Sequence, residues 1–150
     1  MGLWAALMPQ VSANFDIYFV DDYSIIPTVR RYQVFEAQAN CAQSQATRLF
    51  TQLDDVSGNK LGVRCKGGQG CYNGYAPADD IEQLEMNFGT NPVYHWTLYK
   101  NADRYMVGLD GKTYGHCIIF PDGDFDCPLR HGYRKFRCLT SFTANQLNGV

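Results

Sequence analysis

No Asn-x-Ser/Thr sequon occurs in this chain, so N-linked sugar is not expected. No Cys-x-x-Cys pair occurs either. The nearest histidine, His116, adjoins Cys117, and neighbouring residues on a strand face opposite ways, which argues against a zinc site. No run approaches the roughly eighteen apolar residues a membrane helix needs, so no span is expected. An excess of basic charge is also missing: 13 Lys and Arg stand against 15 Asp and Glu, for a net charge of −2. That balance argues against a nucleic-acid binder. No Gly-x-Ser elbow marks a hydrolase nucleophile, and no phosphate-binding loop signature occurs, so no cofactor is expected.

Cysteine is what the chain does have. Cys41, Cys65, Cys71, Cys117, Cys127 and Cys138 make an even set in a short chain, which reads as a disulfide framework in an extracellular protein. Six cysteines allow fifteen pairings. Cys65 and Cys71 bracket a five-residue Gly-rich segment suited to a local bridge. Cys117 and Cys127 flank a chain reversal at Phe120-Pro121-Asp122-Gly123, which pairs them and leaves Cys41 with Cys138. The N-terminus fits the same compartment. Leu3 to Met8 is apolar, and Val11-Ser12-Ala13 has the small residues of a signal-peptidase site. Residues 1–13 read as a shortened signal peptide, and residues 14–150 as one secreted domain, expected to be monomeric.

Helical periodicity is scarce; residues 39–49 and a short turn at 78–84 are the helix candidates. Alternating apolar residues recur at close spacing instead: Phe15, Ile17 and Phe19; Leu84, Met86 and Phe88; Tyr94, Trp96 and Leu98. Further runs lie at 29–37, 48–53, 60–66, 104–109, 112–120 and 133–142. Asp110-Gly111 between two of them suits a two-residue type I′ hairpin. About eight or nine strands with Gly, Asp and Pro turns indicate an all-β fold, an antiparallel β-sandwich or small β-barrel with disulfides and at most one or two short helices.

Several groups of residues are candidates for chemistry. His95 and His116, paired with a nearby Asp or Glu, would suit acid–base cleavage of RNA. Arg130, Arg134, Lys135 and Arg137 form the densest basic cluster, with Lys135 and Arg137 on one strand face. It is either a patch for an anionic partner or a solvated outer face. Tyr72 and Tyr75, on the Gly-rich loop 67–77, are either a recognition surface for sugar or protein or a simple connection. Asp122, Asp124 and Asp126 open like a calcium loop, but Cys127 and Tyr133 stand where Gly and Glu are required, so a hairpin tip with solvated carboxylates is expected.

Four segments carry a resemblance. They are Asp55-Val56-Ser57-Gly58-Asn59-Lys60-Leu61-Gly62-Val63-Arg64-Cys65, Leu84-Glu85-Met86-Asn87-Phe88-Gly89-Thr90-Asn91-Pro92, Tyr114-Gly115-His116-Cys117 and Arg134-Lys135-Phe136-Arg137-Cys138-Leu139-Thr140-Ser141-Phe142. Together they resemble small secreted effector-like and elicitor-like proteins of plant-associated ascomycete fungi. The resemblance implies secretion, a β fold and a host protein or cell-surface component as partner, and it supplies no catalytic residues. The leading expectation is a non-enzymatic effector or elicitor. The alternatives are a small ribonuclease-like hydrolase and a carbohydrate-binding module using exposed Tyr and Trp96.

Overall fold

The computed structural model describes residues 13–150. The signal-peptide expectation, apart from Ala13, therefore lies outside the described residues. The first strand, β1 (Ala13–Asp22), is covered on both faces. Phe15, Ile17 and Phe19 enter the main core, and Tyr18 and Val20 enter a second apolar cluster with Phe35, Phe125 and Cys127. β2 (Val29–Phe35) and β3 (Phe50–Thr51) follow, then β4 (Gly62–Gly67), β5 (Ile81–Thr90) and β6 (Val93–Tyr99). The remaining strands are β7 (Tyr105–Gly108), β8 (Thr113–Ile119), β9 (Phe125–Cys127) and β10 (Arg130–Thr140).

These strands form one antiparallel sheet in the order β3-β2-β1-β10-β8-β7-β6-β5-β4, with β9 on β10. The two ends of that order touch. Gln52 and Val63 form a parallel bridge, and the Leu53 N–H donates to the Val63 carbonyl at 2.9 Å. The all-β expectation holds, and the architecture is a nearly closed barrel. Gly62 permits the closure, because a Cβ there would meet the Thr51 carbonyl oxygen at 2.6 Å. Leu84, Met86, Trp96, Leu98, Met106 and Phe136 fill the interior. Each such side chain contributes roughly 1.5–3 kcal/mol by leaving water.

Among the described residues two α-helices lie outside the sheet. The first, α1 (Cys41–Ala46), is shorter than the expected 39–49 and is held by a capping box between Asn40 and Gln43. The second, α2 (Ala144–Asn148), was not anticipated; Thr143 and Gln146 box its start and Gly149 closes it in the left-handed region. At 78–80 the expected turn is a 3₁₀ turn, after which the chain enters β5. The Asp110-Gly111 hairpin differs from a type I′ turn, since only Gly111 has positive φ. The Gly111 N–H donates to the Gly108 carbonyl, and the Gly108 N–H to the Lys112 carbonyl, which makes a three-residue loop.

All six cysteines are bridged, but two of the expected pairings are wrong. Cys65 joins Cys71 as expected. Cys41 joins Cys127, and Cys117 joins Cys138. The reason is strand order. β8 pairs with the last part of β10, which sets Cys117 directly opposite Cys138. β9 pairs instead with the first residues of β10, and the chain reversal carries Cys127 away from β8 toward α1.

Candidate functional site

Three connections meet at one end of the barrel. The Tyr23 N–H, in the β1–β2 connection, donates to the carbonyl of Leu129 between β9 and β10 at 2.8 Å. Arg30 donates to the Tyr72 carbonyl at 3.3 Å and lies 5.3 Å from the centre of the Tyr72 ring. The Tyr75 ring meets Tyr133 edge-on at 5.0 Å, and His131 stacks on Tyr133 at 4.3 Å. The surface so formed is aromatic and open: Tyr75 is 78% exposed and Tyr23, Tyr72 and Leu129 are also exposed. The β1–β2 connection extends it with Ile25 and with Ile26, which is 97% exposed.

The loop bearing Tyr72 and Tyr75 is fixed from several sides. The Cys65–Cys71 bridge closes its base. The Asp80 carboxylate accepts the Gly70 N–H at 2.9 Å, and the Asp80 carbonyl accepts the Gly68 N–H at 3.0 Å. Lys135 holds the far side, its ammonium donating to the carbonyls of Asn73, Gly74 and Ala76 at 3.3, 3.0 and 2.6 Å. Burial pushes this amine down to about 8. A cavity of about 310 Å³ lies between residues 74–78 and 121–124, with Tyr75, Tyr133, Arg134 and Lys135 among its walls.

Lys135 reaches the loop because of a β-bulge. Ile17 pairs with Phe136 and Tyr18 with Arg134, so Lys135 is the extra residue. Its ammonium lies 5.6 Å from the core-side Phe19 ring. Lys135 and Arg137 therefore do not share a face, contrary to the alternation expected from sequence. The basic cluster is also neither a free patch nor a solvated face. Asp16 is fully buried and accepts from Arg134 at 3.2 Å and from Arg137 at 2.7 and 3.0 Å. Arg130 donates to the Ser44 carbonyl at 2.8 Å. The cluster's charge is spent inside the fold.

The histidines sit apart from one another. His116 stacks on Tyr105 at 4.3 Å and contacts the Asp103 carbonyl. His95 has a carboxylate partner: its Nε2 lies 2.7 Å from Glu85 Oε2, while Arg64 Nε donates to Glu85 Oε1 at 2.8 Å. Burial opposes ionisation of Glu85, but the bonds from Arg64 and His95 outweigh it and hold its carboxyl below the usual range. The His95 side chain is only 4% exposed. Its partner was invisible in sequence because the contact is diagonal: Glu85 faces Arg64 and Thr97 directly, and His95 faces Asn87.

Trp96 is 1% exposed and stacks on Phe142 in the core, so it offers no platform for a sugar. Asp122, Asp124 and Asp126 are exposed, as a hairpin tip would be, and Asp124 accepts the Arg134 N–H. Among the described residues no three His, Cys, Asp or Glu side chains gather as metal ligands, and no helix is long and apolar enough to cross a membrane. Of the candidates from sequence, Tyr75, Arg134 and Lys135 converge on the loop-end cavity, with Tyr72 beside it on the same loop. Tyr23 and Leu129 were missed, since nothing local to either marks a contact between the two connections. No protein-family model, no curated protein and no solved structure matches this chain.

Proposed function

We propose that the chain is a secreted, non-enzymatic effector or elicitor whose tyrosine-rich loop end contacts a host protein or cell-surface component. One observation carries this reading: Tyr72 and Tyr75 stand exposed on a loop already held rigid by Cys65–Cys71, Asp80 and Lys135. Tyrosine is among the residue types that dominate binding hot spots, and a loop ordered beforehand loses little entropy on binding. Three disulfides support an oxidising, extracellular setting. Purified protein infiltrated into leaves of several hosts is expected to cause cell death or induce defence markers. The Tyr72→Ala/Tyr75→Ala double variant, equally folded, is expected to lose that response. Silence of the unmodified protein on every host tested sinks the reading.

A second reading, a ribonuclease-like hydrolase, rests on the Glu85–His95 contact at 2.7 Å. Incubating the same preparation with RNA separates the two. Cleavage that is abolished by Glu85→Gln and by His95→Gln favours the hydrolase. A response in leaves that survives both substitutions favours the effector.

A further inference from the structure

On the outer wall of the barrel β7 and β8 set Tyr105 opposite His116. Cys117 enters the core, so its neighbours His116 and Ile118 face outward. Beside them a 3₁₀ turn, Lys100–Ala102, leads into β7. Together these segments border an open cleft of about 400 Å³, with Lys100, Arg104, Tyr105, His116 and Ile118 along it. That volume lies within the roughly 300–1,000 Å³ of small-molecule sites.

The cations here differ from those of the β10 cluster. Arg134 and Arg137 are neutralised by Asp16, whereas Lys100 and Arg104 form no ion pair among the described residues. Lys100 is exposed. Arg104 Nη2 donates to the Asp79 carbonyl at 3.1 Å; its Nε and Nη1 find no acceptor among the described residues, and both keep accessible surface. The backbone fixes where this side chain starts. Asp103 and Arg104 both have φ of 56°, a conformation that side-chain-bearing residues rarely adopt. It is held by the Arg104 N–H on the Tyr99 carbonyl and the Cys117 N–H on the Arg104 carbonyl, each at 3.0 Å. His116 Nε2 donates to the Asp103 carbonyl at 2.8 Å, since a carbonyl only accepts. That leaves His116 Nδ1 open to the cleft, able to accept from an acid hydroxyl or, once protonated, to donate. Asp103 is the only carboxylate among the residues along the cleft.

We propose that this cleft binds a small phosphate monoester. The phosphate sits between Lys100 and Arg104, within reach of His116. Two cations match its two charges, and the neighbouring Nε and Nη1 of the guanidinium suit a tetrahedral oxyanion. The ester's organic group lies on Tyr105 and Ile118, which are apolar and 45% and 41% exposed. None of these groups belongs to the tyrosine loop end, so the site stands or falls independently of the effector reading.

The test is a titration of the full chain at fixed pH, followed by the ring C–H resonances of His116, with His95 and His131 as internal references. His116→Gln assigns the signal. With phenyl phosphate the resonances are expected to move and saturate, with half-saturation on the order of 1 mM. Inorganic phosphate is expected to bind more weakly, and sodium chloride at matched ionic strength to leave them in place. Arg104→Gln is expected to weaken phenyl phosphate binding about tenfold and Lys100→Gln about threefold. Asp103→Asn suits the left-handed backbone and removes the opposing charge, so it is expected to tighten binding about threefold, a gain no misfolded variant can show. Signals that stay fixed at roughly ten times the expected half-saturation overturn the proposal. So does an equal response to chloride, an affinity for phenyl phosphate no greater than for inorganic phosphate, or binding undiminished in Arg104→Gln.

Discussion

The ammonium nitrogen of Lys135 lies 2.6 Å from the carbonyl oxygen of Ala76, and this contact fastens the tyrosine-bearing loop to β10. Replacing Lys135 with Met keeps most of the side-chain volume but leaves the carbonyls of Asn73, Gly74 and Ala76 without their donor. The expected cost is about 3 kcal/mol in denaturant unfolding. Amides of residues 69–76 should exchange with solvent faster than those of β5. Unchanged stability together with unchanged exchange contradicts the strut.

The same residue sets a pH dependence. Its amine is lowered to about 8 in the fold, whereas an unfolded lysine titrates near 10.4. Between those values the unfolded chain holds more protons than the folded one, so stability rises with pH over that interval. Unfolding midpoints measured from about pH 8 to 10 should climb in the unmodified protein and stay flatter in Lys135→Met.

Glu85 acts in the opposite range. Its folded carboxyl lies below its unfolded value, so its contribution is complete above the ordinary Glu range, near 4.3, and is lost as pH falls through the folded value. Glu85→Gln should cost about 1–3 kcal/mol at neutral pH by leaving Arg64 without its ionic partner. It should also make acid unfolding less steep. A variant that loses stability with acid as steeply as the unmodified protein argues against the pair.

Gly74 and Tyr75 separate fold from recognition. A Cβ on Gly74 would stand 2.0 Å from the Tyr133 ring, so Gly74→Ala must displace the loop or the ring. Overpacking of this kind costs roughly 1–3 kcal/mol. Tyr75→Ala removes a mostly exposed ring and should change stability by less than about 0.5 kcal/mol. If the leaf response reads the loop surface, both variants lose it, and only Gly74→Ala shows the loss in calorimetry.

The bridges differ in reach. Cys41–Cys127 closes a separation of 86 residues and Cys65–Cys71 one of 6. Loop entropy alone makes replacement of the first pair by Ser about 2 kcal/mol more costly than replacement of the second. Peptide mapping without reduction should recover Cys41 with Cys127 and Cys117 with Cys138. Recovery of Cys41 with Cys138 would reject the strand order.

What sequence could reveal depended on distance along the chain. Phe15, Ile17 and Phe19 were legible because strand alternation is local, and so was Cys65–Cys71, whose partners are neighbours. Cys117–Cys138 was not, because it depends on β8 pairing with the far end of β10 rather than with β9. β9 itself spans three residues, too few for a period to register. The inward turn of Lys135 came from a bulge, which leaves no trace in composition or spacing. Arg134 and Arg137 looked like a surface patch because their counter-ion, Asp16, lies at the other end of the sequence.

β1 lies between β2 and β10, and its residues pair with Arg130–Thr140 along its whole length. During synthesis the N-terminal strand can gain one neighbour early, but its other edge has no mate until the final strand leaves the ribosome. The barrel therefore closes only once Arg130–Thr140 is available to β1, through contacts of long sequence range, which makes its folding slow. A chain cut short before Arg130 would carry an unpaired, apolar edge and would depend on a chaperone to avoid aggregation.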